Sequence, residues 1–549
     1  MQLDTFTTDF EDDNLRRWLL EYLWITPALF IAGLTYSSYL ATHQYPAFGG
    51  GLFLSMAEQI AKHGYRFPRV VPQYTANGVP FAYPPLMFYC LAVLYDVFGV
   101  DLFALTRYLP GLVTIASLIP FYLLSKELLR SPQRAGMASF VFAVTPAFVR
   151  WHFSAGGIVR APAFLFSLVG VYTALRLFKT MSWRWVLPTI VWFTLTALTH
   201  PEYTVFLGLS IAVFTVAYAP TVRGFAYAAV VGICGFVLTV PWWGRIISIY
   251  SLENLVSASS THGGLGGGLG VVVDLVLAGS QSTATVSPSP HLYSVILLSL
   301  WYAIPLAGVA YLLAERRGFL PAWLLLVGAI TGETRFIFVI GSLVTTIFVL
   351  DGVVPWVTRR MEPVLGRQQT LIAVLLVLSV FGANISTLYV SGAVVEYEGS
   401  NSMPSFIDEY DYSAMQWTQR NVDRSAEFIV LGDAAEWFPY IANRTNVVGP
   451  WGVEWESSPV AYEWQYTAYQ RISTTTTVEE LNRNIALTTT TPDYIYVPKG
   501  TYTVYGRKYD QRRSFITELR RSDEYDAVYQ NREVVIFERA TNTSVPNGG

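Results

Sequence analysis

Long uncharged runs, bounded by charges or turn residues, dominate the first two-thirds of the chain. Runs of about 15–25 apolar residues predict membrane-spanning helices, and they fall at 22–41, 108–125, 135–149, 161–178, 185–199, 203–222, 224–244, 291–314, 318–332, 336–350 and 370–394. About eleven spans are therefore expected. The run 22–41 is too long for a signal-peptide core and reads as an uncleaved first span. The run from Tyr83 to Tyr95 opens on Pro84-Pro85 and is too short for a span, which suits an interfacial or re-entrant helix. Phe53 to Ala61 carries an amphipathic pattern and predicts a helix lying on the membrane surface. After residue 394 the pattern changes to short β-prone runs at 426–432, 446–448, 493–498 and 534–539, with helical patterns near 412–421, 433–441, 477–485 and 510–521. A small α/β domain is expected there.

Composition agrees with the pattern. Of 549 residues, 52% are apolar and 14% are charged, against about a quarter charged in soluble chains. The net charge of −3 gives no electrostatic case for nucleic acid. Cys90 and Cys234 lie in apolar runs without a second thiol or histidine nearby, so they read as packing residues. Lys and Arg are about four times denser in one set of short loops than in the other, which predicts a cytoplasmic N-terminal tail (1–21) and an extracytoplasmic C-terminal domain (395–549) flanking a transmembrane domain (22–394). Asn443-Arg444-Thr445 and Asn542-Thr543-Ser544 are glycosylation triplets on that outer side.

Candidate chemistry follows from span length. Five runs hold about fifteen residues, roughly 22 Å of helix against a hydrocarbon core of about 30 Å. Their flanking residues Arg150, His152, Arg160, His200, Glu202, Glu333 and Arg335 would then sit at or below the outer interface, where charge is costly outside a wet, protein-walled recess. Tilt and snorkelling are the alternative account of any one of them. Two long outer loops run over 42–107 and 245–290, and the glycine-rich stretch at 262–270 reads as a flexible flap or hinge. It lacks the lysine and strand of a phosphate-binding loop. Asp408, Glu409 and Asp411 are candidate ligands for a divalent metal or else a solvated linker. The aromatic stretch 449–466 suits either sugar faces or packing against the membrane helices.

The order of these features resembles the GT-C superfamily of membrane glycosyltransferases, which includes protein mannosyltransferases and aminoarabinose transferases. The resemblance rests on YPAFGGGLFLSMAEQIAKHGYRFP before Tyr83-Pro84-Pro85, on FGVDLFALTRYLPGLVTIASLIPFYLLSKELL, on LTHPEYTVFLGL (198–209) and on GETRFIFVIGSLV (332–344). It implies an α-helical polytopic membrane protein with an outer α/β domain that passes a sugar from a polyprenyl- or dolichyl-phosphate carrier to a glycan, lipid or protein acceptor. A non-catalytic binder of lipid-linked sugars is the alternative, and a transporter finds no support in repeated halves. The carrier phosphate needs cationic donors, which Arg150, Arg160 and Arg335 could supply, with Tyr83, His152, His200 and Glu333 as further substrate contacts. The acceptor needs a carboxylate to take its proton, and Glu202 and Glu58 are the candidates. The family's catalytic aspartate would stand where this chain has Gly49-Gly50-Gly51.

Overall fold

The computed structural model describes residues 21–250, 252, 290–361, 366–390, 403–449, 451–456 and 459–540. The acidic tail, the glycine-rich stretch at 262–270 and the triplet at 542–544 lie outside the described residues.

Thr26–Thr42 (α1) leads to a long first loop holding α2 (Gly51–Lys62), a short hairpin of β1 (Val70–Val71) and β2 (Val79–Pro80), and α3 (Leu86–Asp96). Then come α4 (Leu102–Ala116), α5 (Leu118–Leu129), α6 (Pro132–Ala143), α7 (Pro146–Val149), α8 (Gly157–Thr180), α9 (Val186–Ala197) and α10 (Pro201–Tyr218). They are followed by α11 (Val222–Leu238), α12 (Val240–Tyr250), α13 (Pro290–Ala314), α14 (Phe319–Thr331), α15 (Thr334–Ile347), α16 (Val354–Met361) and α17 (Arg367–Val390).

Among the described residues five helices are long and apolar enough to cross a membrane: Glu21–Thr42, Leu102–Leu129, Gly157–Thr180, Pro201–Tyr218 and Thr334–Arg360. The pair Val222–Leu238 and Val240–Tyr250, bent by 56°, makes a sixth if counted as one span. The count of about eleven is therefore not reproduced, and two local reasons are visible. The run 135–149 breaks after Ala143, because Pro146 has no N–H to give and disfavours a helical residue before it. The run 336–350 instead continues past Asp351 through a π-turn at Phe348–Val353, because Arg134 (2.8 Å) and Arg317 (3.4 Å) neutralise that carboxylate. Shorter apolar helices, Leu300–Ala314, Phe319–Thr331 and Gln368–Asn384, fall in three of the other predicted runs, and Leu86–Asp96 falls in the short run left out of the count.

Beyond the helices, α18 (Glu409–Asn421) leads into a five-stranded sheet of order β4-β3-β5-β9-β8. Its strands are β3 (Glu427–Val430), β4 (Thr445–Asn446), β5 (Tyr494–Pro498), β8 (Tyr525–Gln530) and β9 (Val534–Arg539). The first three are parallel and the last two antiparallel. A separate hairpin, β6 (Thr501–Val504) and β7 (Arg507–Asp510), was not legible as strand.

Asp408, Glu409 and Asp411 belong to a helix start rather than to a linker. Asp408 caps α18, accepting from the Tyr410 and Asp411 amides, while Asp411 accepts from the Asp408 amide and from Tyr496. Among the described residues no three or more His, Cys, Asp or Glu side chains are grouped to hold a metal ion.

The predicted surface helix is also placed differently. Leu52, Leu54, Met56, Ala57 and Ile60 of α2 are buried in one core with Phe428, Val430, Trp437 and Phe438 of the C-terminal segment. Its apolar face is covered by protein, so lipid does not account for its pattern.

Candidate active site

Three chain segments meet at one place because each carries a helix terminus there. His200 precedes α10, Pro201 occupies its first turn, and Glu202 follows where a carboxylate suits the positive end of the helix dipole. Gly332 ends α14 in a left-handed conformation (φ 63°), Glu333 begins the next helix, and Arg335 lies in the first turn of α15. Between α7 and α8 the chain turns tightly: a Cβ at Gly157 would lie 2.1 Å from the His152 carbonyl oxygen, so only glycine permits this approach.

Arg335 is the hub. It forms ion pairs with Glu202 and with Glu333 (3.3 Å), and its Nη1 donates to the Tyr203 hydroxyl (3.3 Å). Arg335 is 4% exposed and Glu202 is 7% exposed, so both charges depend on each other. The His152 ring is buried and lies 2.7 Å from both the Phe148 carbonyl and the Tyr203 hydroxyl. The carbonyl can only accept, so Nδ1 carries the proton and Nε2 accepts from Tyr203. A continuous polar chain thus runs from Phe148 to the two glutamates.

Around this chain stand the other predicted residues. Tyr83 meets His200 edge to face (5.7 Å between ring centroids), and His200 meets Tyr203 (5.0 Å). Arg160 lies within electrostatic reach of Glu202, Tyr203 and Tyr83. Arg160 and Arg150 both lie over the Trp151 ring, at 5.2 and 4.9 Å. Neither arginine has an ion-pair partner among the described residues. Among the described residues Arg150 Nε, His200 Nδ1 and Arg335 Nε are buried without a hydrogen-bond partner. These are donors and a ring nitrogen that an oxygen-rich ligand would satisfy.

Glu58 is not brought to this cluster; it pairs with Lys62 (2.8 Å) one helical turn along α2. Three contributors went unread in the sequence. Trp151 holds the two arginines, Trp455 of the C-terminal segment meets Tyr83 (6.2 Å), and Glu436 reaches the first loop. Only the aromatic density of 449–466 hinted at Trp455.

Glu436 explains the glycines at 49–51. It ends a short 3-10 turn (Asp433–Glu436), with one oxygen accepting from the Gly50 (2.9 Å) and Gly51 (3.0 Å) amides and the other from Leu52 (3.1 Å). The N-terminus of α2 is thereby capped from 384 residues away. A Cβ at Gly49 would lie 2.5 Å from the Glu436 side chain. A side chain there would have to displace the Glu436 carboxylate from the amides it caps.

Burial pushes the Glu436 carboxyl up to about 7, against the three amides that favour its charge. Burial does the same to Asp411. Both acids titrate near 4 when unfolded, so between about pH 4 and pH 7 the folded state binds more protons. The contribution of these two groups to stability therefore falls as pH rises through that window. Asp411→Asn removes one of them, so the change in melting temperature from pH 6 to pH 8 is expected to be less negative in this variant than in the wild-type detergent-solubilised protein; an equal change in both would contradict the raised value of Asp411.

No family model matches the sequence, and no curated protein matches it. Solved structures do. The archaeal oligosaccharyltransferase AglB from Archaeoglobus fulgidus, in complex with an inhibitory peptide and a dolichol-phosphate, aligns with a TM-score of 0.52 at 13% identity, over 87% of this chain and 70% of that one. The same organism's enzyme tethered to an acceptor peptide containing the NVT sequon gives 0.53 at 14% identity, over 86% and 69%. ArnT from Cupriavidus metallidurans bound to undecaprenyl phosphate gives 0.50 at 11% identity, over 96% and 98%. The chain shares the overall fold of these solved structures, a helical part followed by a sheet-containing part.

Proposed function

We propose that this protein is a glycosyltransferase that takes a sugar from a polyprenyl- or dolichyl-phosphate carrier and passes it to an acceptor on the outer face of the membrane. The observation that carries the reading is the pair of unneutralised arginines, Arg150 and Arg160, held over Trp151 beside the Arg335–Glu202 pair. The similar solved structures with bound dolichol-phosphate and undecaprenyl phosphate support it at the level of fold.

In this reading the carrier phosphate sits against Arg150 and Arg160, which stabilise the charge that grows on it as the glycosidic bond breaks. Glu202 takes the acceptor's proton. Arg335 holds that carboxylate in place, and the His152–Tyr203 pair holds Arg335. Glu202 and Glu333 both spend oxygens on Arg335, which fits poorly with metal binding, so no step here runs through a divalent ion. The cytoplasmic tail, the transmembrane part and the outer domain are assigned from the Lys and Arg asymmetry.

A second reading has one observation behind it. Where the family would keep its catalytic aspartate, this chain has glycines closed over by Glu436, whose oxygens are both taken by amides. Such a protein would bind lipid-linked sugars and not turn them over.

One incubation separates the two. Purified protein is mixed with labelled polyprenyl-phosphate sugars, and binding and release of label are followed separately. The transferase reading expects both, with Arg160→Ala weakening donor binding by about tenfold or more, the cost of a lost charge-assisted hydrogen bond. Binding without release favours the second reading, and absence of binding ends both.

A further inference from the structure

We infer that Glu436 is a positioning residue through which the C-terminal segment sets the geometry of the Arg160 side of the donor site. The inference rests on the proposed donor site and adds a residue to it that touches no substrate.

The contacts form a relay. Glu436 fixes the amides of Gly50, Gly51 and Leu52, and the neighbouring Trp437 donates from its indole nitrogen to the Phe48 carbonyl (3.1 Å). The turn at 47–51 is thus held from one side by two consecutive C-terminal residues. Its other side lies on the segment that carries the arginines. The Ala155 amide donates to the Ala47 carbonyl (2.8 Å), and the Phe48 ring meets Trp151 (4.9 Å). A Cβ at Gly50 would lie 2.8 Å from Ala155 Cβ. A Cβ at Gly156 would lie 2.5 Å from Arg160 Nη1 and 3.4 Å from the Gly49 carbonyl oxygen. Arg160 therefore rests on a surface whose other wall is the turn that Glu436 holds.

The chemistry of Glu436 decides its kind of role. It is 3% exposed, and both oxygens accept amide hydrogens. It has no free face for an acceptor hydroxyl, so it acts through the turn. A carboxylate is the side chain that can cap three amides at once, since a carboxamide offers only one accepting oxygen.

The test uses the full-length protein in detergent with undecaprenyl phosphate as probe. In Glu436→Gln, undecaprenyl phosphate is expected to bind about tenfold more weakly, with faster amide exchange at 48–52 and at 151–160 and unchanged exchange in the sheet. Glu436→Asp should restore part of the binding, and Trp437→Phe should shift both readouts the same way by less. Should the glutamine variant fail to fold, these two carry the test. The inference is overturned if exchange at 151–160 does not respond, or if it rises only together with the whole sheet. Failure of the wild type to bind undecaprenyl phosphate would sink the donor site, whereas the exchange coupling between 48–52 and 151–160 would still decide the role of Glu436.

Discussion

Alanine at Arg335 is expected to cost about 3–5 kcal/mol of stability, the usual result of stripping one partner from a buried ion pair, and to abolish sugar transfer. The change leaves Glu202 buried without its counter-charge, frees Glu333, and takes a donor from Tyr203. The position itself argues for this. An arginine in the first turn of a helix faces the positive end of the dipole, so its place is explained by the two carboxylates and not by helix energetics. Lysine should fold better than alanine yet transfer poorly, because a point charge cannot serve Tyr203 and both glutamates as a planar fork does. The double change Arg335→Met with Glu202→Gln should recover part of the lost stability, since neutral replacement of a buried pair is often tolerated. It should not recover transfer. Melting temperature and transfer rate, measured together on all three, check this. An alanine variant that melts with the wild type would show that the network carries no stability.

Much of this centre was legible because it was encoded locally. LTHPEY and GETRF each place a carboxylate at a helix start, and the charges flanking apolar runs had to be accommodated somewhere. What failed to show was long-range compensation. Asp351 reads as the end of a span until Arg134, far away in sequence, neutralises it. The apolar stripe of α2 reads the same whether lipid or protein covers it, and here Phe428, Trp437 and Phe438 do. Glu436 had no signal at all. Its partners are amides of glycines almost four hundred residues earlier, and an amide carries no side-chain signature.

Gly49 offers the sharpest check on that last point. In the family pattern an aspartate at this place would supply a catalytic carboxylate, so Gly49→Asp looks like a repair. It should instead be harmful. The new Cβ would lie 2.5 Å from Glu436 Cδ and 2.6 Å from one of its oxygens, closer than non-bonded atoms approach. Overpacking alone costs about 1–3 kcal/mol, and a second carboxylate pressed against a buried first one adds like-charge repulsion. Unlike Gly51, whose Cβ would meet the Glu436 carbonyl and the Trp437 backbone, Gly49 has three atoms of the Glu436 side chain as the nearest to its Cβ position. The clash is therefore removable. Gly49→Asp combined with Glu436→Ala should be more stable than the sum of the two single changes by about 1–3 kcal/mol, with the introduced carboxylate able to take over part of the capping of α2. A double-mutant cycle on the thermal unfolding of the detergent-solubilised protein measures that coupling directly. Strict additivity would mean that Glu436 does not occupy the place where the missing aspartate would have stood.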